Sequence, residues 1–267
     1  MIDTYFPSTK FNVNVVDNTY EITAKNNNNC INFIVLDQGI YVYMLDKCGE
    51  FSGKTLLNLL EEYAKERGIR LIELEDTSNI DVCDNTVSLY MLQILSTGES
   101  WYNKLGYKSD NYNDEIKNNK MQIKKIFIMV LHHLIIKSNI SSDPQFSSQI
   151  NELFKLTKKT NIKIFENICT KLYEIILDVK PGETRNIFET MTVQDLFSIL
   201  KQYMKKHLVD CDQSYMMLIK LLIMLFKKYW IREHTNEDGF YILYETMLSK
   251  PIKNTGGKYS RRKRHNI

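Results

Sequence analysis

The chain changes its hydrophobic period partway along. Up to about residue 46 the apolar positions fall in short runs rich in β-branched and aromatic side chains. These are Thr19–Lys25, Cys30–Asp37 and Ile40–Leu45, with turn residues between them at Asn26–Asn29 and Gln38–Gly39. Short runs bounded by Asn and Gly predict an antiparallel meander. From Ser52 to Arg67 the period becomes helical. Leu56, Leu57, Leu60, Tyr63 and Ala64 share one face, and Glu61, Glu62, Lys65 and Glu66 lie opposite. Gly68 stands where a helix C-cap belongs, and Ile69–Leu74 reads as the next strand. Strand, short loop with Gly49 and Gly53, helix and strand together have the length of a βαβ crossover. Such a loop offers backbone N–H groups at a helix N-terminus, which favours a phosphate or pyrophosphate.

Further on, Ser88–Leu95 and Glu99–Leu105 read as helices and Tyr107–Ser109 as a final strand. Asp110–Asn119 is polar and reads as a linker. Beyond it every periodic segment is helical: Lys120–Ser138, Ser147–Lys158, Ile162–Val179, Thr192–Leu208, Gln213–Arg232 and Gly239–Leu248. Pro144, Pro181 and Pro251 fall between them as breakers. Thr192-Val-Gln-Asp195 has the form of a capping box. The expected fold class is α+β: a mixed sheet with helices in residues 1–114, then an all-α helical domain over 115–250. A basic disordered tail follows over 251–267.

Composition narrows this picture. With 267 residues and 43% hydrophobic content the chain can form two modest domains. The net charge of +3 is uneven, because the stretch from Lys258 to His265 reads KYSRRKRH. That stretch offers a nuclear address or a weak nucleic-acid contact. Cys30, Cys48, Cys83, Cys169 and Cys211 are scattered with no C-x-x-C pair. The scatter argues against a zinc ribbon or a disulfide framework, gives no metal-ligand set, and suits a reducing compartment. The start, MIDTYFPSTK, has no apolar signal core. The apolar runs Ile126–Ile136 and Met216–Phe226 are too short to span a bilayer. The expectation is an intracellular protein that does not engage a membrane, cytoplasmic unless the tail directs it to the nucleus. His132, His133 and the run Met216–Met224 read as helix-face and core residues.

The stretch GKTLLNLLEEYAKERGIRLIELE, followed by SWYNKLGY at Ser100–Tyr107, resembles the GNAT superfamily of N-acetyltransferases. That family has a strand, a phosphate-binding loop of pattern [RQ]-x-x-G-x-[GA], a helix, a strand, and later a helix ending in a phrase like FYxKLGF. Gly53 aligns with the last loop glycine, Leu56–Leu57 with the helix, Ile69–Leu74 with the strand, and Trp101–Tyr107 with the closing phrase. The resemblance covers about residues 19–110. It implies acetyl-CoA as cofactor, its pyrophosphate held by the amides of Phe51, Ser52, Gly53, Lys54 and Thr55, and an amine as acceptor. Tyr102 would protonate the departing thiolate, since a phenol's pKa of about 10 lies above a thiol's of about 8.5. Glu73, Glu75 and Asp76, at the end of the following strand, are the candidate bases.

Two other readings stand beside it. Cys48 and Phe51 occupy positions where the family carries Arg or Gln and a Gly. A member altered in this way could be a catalytically inactive structural or interaction protein, with the helical domain available to a protein partner. The Asn-, Ile-, Lys- and Tyr-rich composition suggests an AT-rich genome, such as that of a large DNA virus, which would put the chain in host cytoplasm or virion. Alternatively, Cys48–Thr55 is G-x-x-x-x-G-K-[ST] with its first Gly replaced. In a P-loop NTP-binding protein Lys54 would reach the terminal phosphates and Thr55 the Mg²⁺.

Overall fold

A computed structural model of the chain describes residues 2–156, 160–210, 212–232, 242–244 and 246–252. In chain order the elements begin with β1 (Phe11–Val16), β2 (Thr19–Ala24), β3 (Asn29–Val35), β4 (Gly39–Leu45), α1 (Gly53–Arg67) and β5 (Leu71–Glu75). There follow β6 (Asn79–Val82), β7 (Asn85–Ser88), α2 (Leu89–Thr97), α3 (Trp101–Lys104), α4 (Tyr112–Gln122), α5 (Phe127–Ser138) and α6 (Pro144–Phe154). The rest are α7 (Asn161–Val179), α8 (Ile187–Thr190), α9 (Val193–Lys206), α10 (Gln213–Trp230), β8 (Ile231–Arg232), β9 (Ile242–Leu243) and β10 (Met247–Pro251). The protein is thus α+β, with a mixed sheet and helices that predominate in the C-terminal part.

The chain packs as two compact units that interleave along the sequence. The first takes Met1–Glu75, Leu105–Ser109 and the chain from Met247 onward; the second takes Asp76–Lys104 and Asp110–Thr246. The expected division at residue 114 runs differently, since it leaves Asp76–Lys104 with the sheet and Met247–Lys250 with the helices.

In the first unit the sheet has six strands in the order β1-β2-β3-β4-β5-β10. β1 to β4 form the antiparallel meander that the pattern predicts, lengthened by β1 at one edge. α1 then carries the chain across to β5, which lies parallel to β4, and β10 pairs antiparallel with β5. Alternation puts Ile22, Ile31, Phe33, Ile40, Val42, Ile72 and Leu74 into the core. The apolar face of α1, with Leu56, Leu57, Leu60, Tyr63 and Ala64, is buried and packs on β3 and β4. Tyr63 meets the rings of Tyr20 and Phe33 at centroid distances of 6.2 Å each. Burying each such side chain is worth about 1.5–3 kcal/mol. Both helix ends follow from local chemistry: the Ser52 side chain accepts from the Thr55 amide, and Gly68 ends the helix at φ 70°, where a Cβ would be strained.

Cys30 and Cys48 form a disulfide across 18 residues of sequence, and Cys83 is disulfide-bonded as well. This corrects the expectation drawn from cysteine spacing. β3 and β4 pair so that Ile31 lies opposite Leu45, which brings the flanking cysteines together without any local motif. A crosslink of that span stabilises by about 3 kcal/mol. Disulfides persist in oxidising surroundings, so cysteine usage no longer supports a reducing compartment. Cys169 is a free thiol, pushed up to about 12 by burial.

The second unit is a β6–β7 hairpin with helices around a continuous apolar core that runs from Val82 and Tyr90 through Phe127, Phe197 and Trp230 to Tyr244. His132 and His133 sit exposed on α5, while Met216 is buried on α10. α7, α9 and α10 fall within a few residues of expectation. Thr192 and Asp195 form a complete capping box, with both reciprocal bonds present.

Three readings are corrected here. Residues 110–119 are not a linker; most of them form α4, whose Glu115, Asn119 and Gln122 are buried. The predicted helix Lys120–Ser138 is broken at its middle. Phe127 donates to Met191 O, Val193 to Lys125 O and Gln194 to Ile123 O, so the start of α9 and the residues leading into it take the backbone groups that a helix would use. Within Gly239–Leu248, read as a helix, the described residues form β9 and the start of β10. Among the described residues no helix is long and apolar enough to cross a membrane. The KYSRRKRH stretch lies outside the described residues.

Candidate functional site

The loop between β4 and α1 is the natural place to begin. Cys48 and Phe51 exchange backbone hydrogen bonds (3.2 and 3.0 Å), closing a tight turn that the disulfide ties back to the start of β3. The Phe51 ring leaves the turn to pack on Phe11 at 4.6 Å, and Lys10 Nζ lies over it at 5.3 Å. Of the five residues expected to hold a pyrophosphate, two have committed their amides. Phe51 N–H donates to Cys48 O, and Thr55 N–H donates to Ser52 Oγ at 3.2 Å. Ser52, Gly53 and Lys54 keep theirs, with no acceptor among the described residues, at the positive end of the α1 dipole. The Thr55 hydroxyl is engaged with Ser52 Oγ at 2.9 Å.

These amides lie at the carboxyl end of β4. The parallel ladder between β4 and β5 runs only from Gly39–Leu71 to Val42–Leu74, although β4 continues to Leu45 and β5 to Glu75. Beyond Val42 and Leu74 the facing edges of the two strands are unjoined. The carboxyl ends of strands in open α/β sheets are where ligands collect.

Glu73 and Glu75 sit on the face of β5 opposite Ile72 and Leu74, Glu73 half-buried and Glu75 exposed. Glu73 lines a cleft of about 820 Å³ with Asp37, Arg70, Leu36 and Leu71 among its walls. Asp76 is different. It begins the second unit and is fully buried. Its Oδ1 accepts from Ser78 Oγ at 2.9 Å, and its Oδ2 has no partner among the described residues. Burial pushes its carboxyl above the usual value, with hydrogen bonds, Ser78 foremost, pulling the other way. A base must be reachable, and the fully buried Asp76 does not suit that role.

Tyr102 is buried on α3, edge-on to Trp101 at 5.0 Å, and belongs to the second unit; the loop and both glutamates belong to the first. The end of the closing phrase returns to the first unit and has a bracing function that the sequence did not reveal. Lys250 Nζ donates to both oxygens of Glu61 (2.7 and 2.8 Å) and to Leu105 O at 2.8 Å. The fully buried Tyr107 donates to the same Glu61 at 3.2 Å, and Lys250 lies 5.3 Å from its ring. Gly106 turns between them at φ 94°, and a Cβ there would press on the Lys250 stem at 3.4 Å. Glu61 had been read as a solvated face residue. The only signal that might have found it was its position on α1 beside the apolar stripe.

Comparison with protein-family models, with curated proteins and with solved structures returns no match.

Proposed function

We propose that the chain is an acetyl-CoA-binding protein of N-acetyltransferase type that passes an acetyl group to an amine. The observation that carries this reading is the β4–loop–α1–β5 unit, in which three unclaimed amides begin a helix beside strands whose ladder stops short of their ends. In this reading the amides of Ser52–Lys54 hold the pyrophosphate and the acyl arm enters the opening beyond Val42 and Leu74. Glu73 or Glu75 accepts the amine's proton, directly or through water, and the departing thiolate takes its proton from solvent. The resemblance of residues 19–110 to the GNAT pattern points the same way. Calorimetric titration with CoA tests it. Gly53→Val, which places a branched Cβ beside the unclaimed amides, should weaken CoA at least tenfold. Equal affinity in the two proteins overturns the assignment of the loop.

A second reading is favoured by the committed Phe51 amide and the disulfide-tied turn: the fold persists as a catalytically inactive interaction protein. Wild type that binds no CoA would support it. The P-loop reading gains nothing from the geometry, because the turn at Cys48–Phe51 is closed on itself and the Thr55 hydroxyl is already bonded.

A further inference from the structure

We propose that the cleft beside Glu73 binds a small aliphatic zwitterion of amino-acid type, its carboxylate on Arg70 and its ammonium between Glu73 and Asp37. Asp37, Arg70 and Glu73 all line one cleft of about 820 Å³ in the first unit. None of their side chains makes a hydrogen bond or ion pair with another described residue, so a guanidinium and two carboxylates are left unpaired around it. The backbone fixes their spacing. Leu36 N–H donates to Gly39 O at 2.8 Å, closing the turn that carries Asp37, and Arg70 N–H donates to Gln38 O at 3.3 Å, stitching that turn to the start of β5. Gly39 lies opposite Leu71 in the parallel ladder, which places Glu73 two residues further along the same wall. Val35, Leu36 and Leu71 supply apolar surface between the charges.

The charge pattern selects the ligand. A guanidinium holds a carboxylate through paired N–H donors. Two carboxylates to one guanidinium mean that a purely anionic ligand is repelled, and a purely cationic one leaves Arg70 unmet. A molecule with both charges on a branched aliphatic frame satisfies all three groups and covers the leucines. The inference goes beyond the acetyl-transfer reading and does not depend on it.

Saturation-transfer NMR titration of the full chain, without CoA, separates the possibilities. The probes are leucine, 3-methylbutylamine, which lacks the carboxylate, and 4-methylpentanoate, which lacks the amine. Leucine should bind tightest, the amine about tenfold more weakly, and the acid weakest. Arg70→Gln should bring leucine down to the affinity of the amine, and Glu73→Gln should weaken both. Both side chains point into solvent-accessible space, so the variants retain the wild-type circular dichroism. Equal binding of all three probes, or leucine still preferred over the amine in Arg70→Gln, overturns the proposal. Acid binding as tight as leucine overturns it in favour of a simple anion site. Because CoA is absent, its failure to bind would leave this result intact, and the converse also holds.

Discussion

Lys250 and Tyr244 stand close together in sequence, and each reaches far back along the chain to a carboxyl-bearing residue, yet the two meetings are built on opposite principles. In the first unit Lys250 crosses 189 residues to Glu61 and saturates it, with both oxygens paired and Tyr107 adding a third donor. In the second unit Tyr244 crosses 168 residues to Asp76 but bonds its main-chain oxygen, at 2.9 Å, leaving Oδ2 of the carboxyl without a described partner. A carboxyl removed from water must be either paired or neutral. Glu61 takes the first course; burial raises the pKa of Asp76, which shifts it toward the second. Tyr244 stacks on Tyr90 at 5.2 Å, and burial, followed by the Asp76 charge, raises its own pKa as well. A buried acid can therefore brace one region through its carboxylate and carry a burial-raised pKa in another. Only the first behaves as an ion pair whose loss would expose an uncompensated charge.

The largest effect should come from breaking the paired site. Lys250→Ala strands the Glu61 carboxylate, whose side chain is only 13% exposed, and should cost about 3 kcal/mol. Urea unfolding followed by circular dichroism measures it; a loss below about 0.5 kcal/mol would mean that the pair braces nothing. The Asp76 site should respond with the opposite sign. A carboxyl whose folded pKa is raised gives its full contribution below the unfolded value of about 3.9 and loses it as pH rises through the folded value. Asp76→Asn keeps the shape and cannot ionise. It should gain on wild type as pH rises from 4 to 8, read from denaturation midpoints across that range. A constant difference across pH would show that Asp76 does not titrate differently in the folded state.

The smallest effect sharpens the contrast inside the second unit. Asp143 caps α6 through the Gln145 amide at 3.0 Å and receives bonds from Lys228 (2.7 Å) and Tyr229 (2.6 Å). Those bonds, Lys228 foremost, hold its carboxyl down at about 2. Its contribution is present above the unfolded value of about 3.9 and fades as pH falls toward 2. Asp143→Ala should cost about 1 kcal/mol at neutral pH and less in acid. Thermal unfolding at pH 7 and at pH 2.5 checks this, and an equal loss at both would refute the role of ionisation.

Much of the fold was legible where its causes are local. α1 announces itself through its apolar stripe, the Ser52 cap and the αL glycine at 68, all within one helix length. The capping box of α9 and the turns of the meander are of the same kind. The loop that could hold a pyrophosphate was found by the same local logic, though which of its amides remain available was not. Phe51 spends its N–H on Cys48, in a turn that the disulfide from Cys48 ties to Cys30, 18 residues earlier. Polarity misled the reading of residues 110–119. Asn119 is buried because its side chain exchanges two hydrogen bonds with the backbone of Leu243, at 2.7 and 2.8 Å, doing the work of a strand neighbour.

The sequence alone determined the meander of β2 to β4, the bounds of α1, α7, α9 and α10 to within a few residues, and that a strand–loop–helix–strand unit lies near residue 53. Those properties depend on neighbours within a few residues. The tertiary structure alone decided that Met247–Pro251 is a strand on β5, that Cys30 and Cys48 are joined, that Glu61 carries a buried charge pair, and that Asp76 and Tyr102 belong to the second unit. Strand pairing, crosslinking and burial depend on partners that may lie up to 189 residues away, and no local period encodes which partner will arrive.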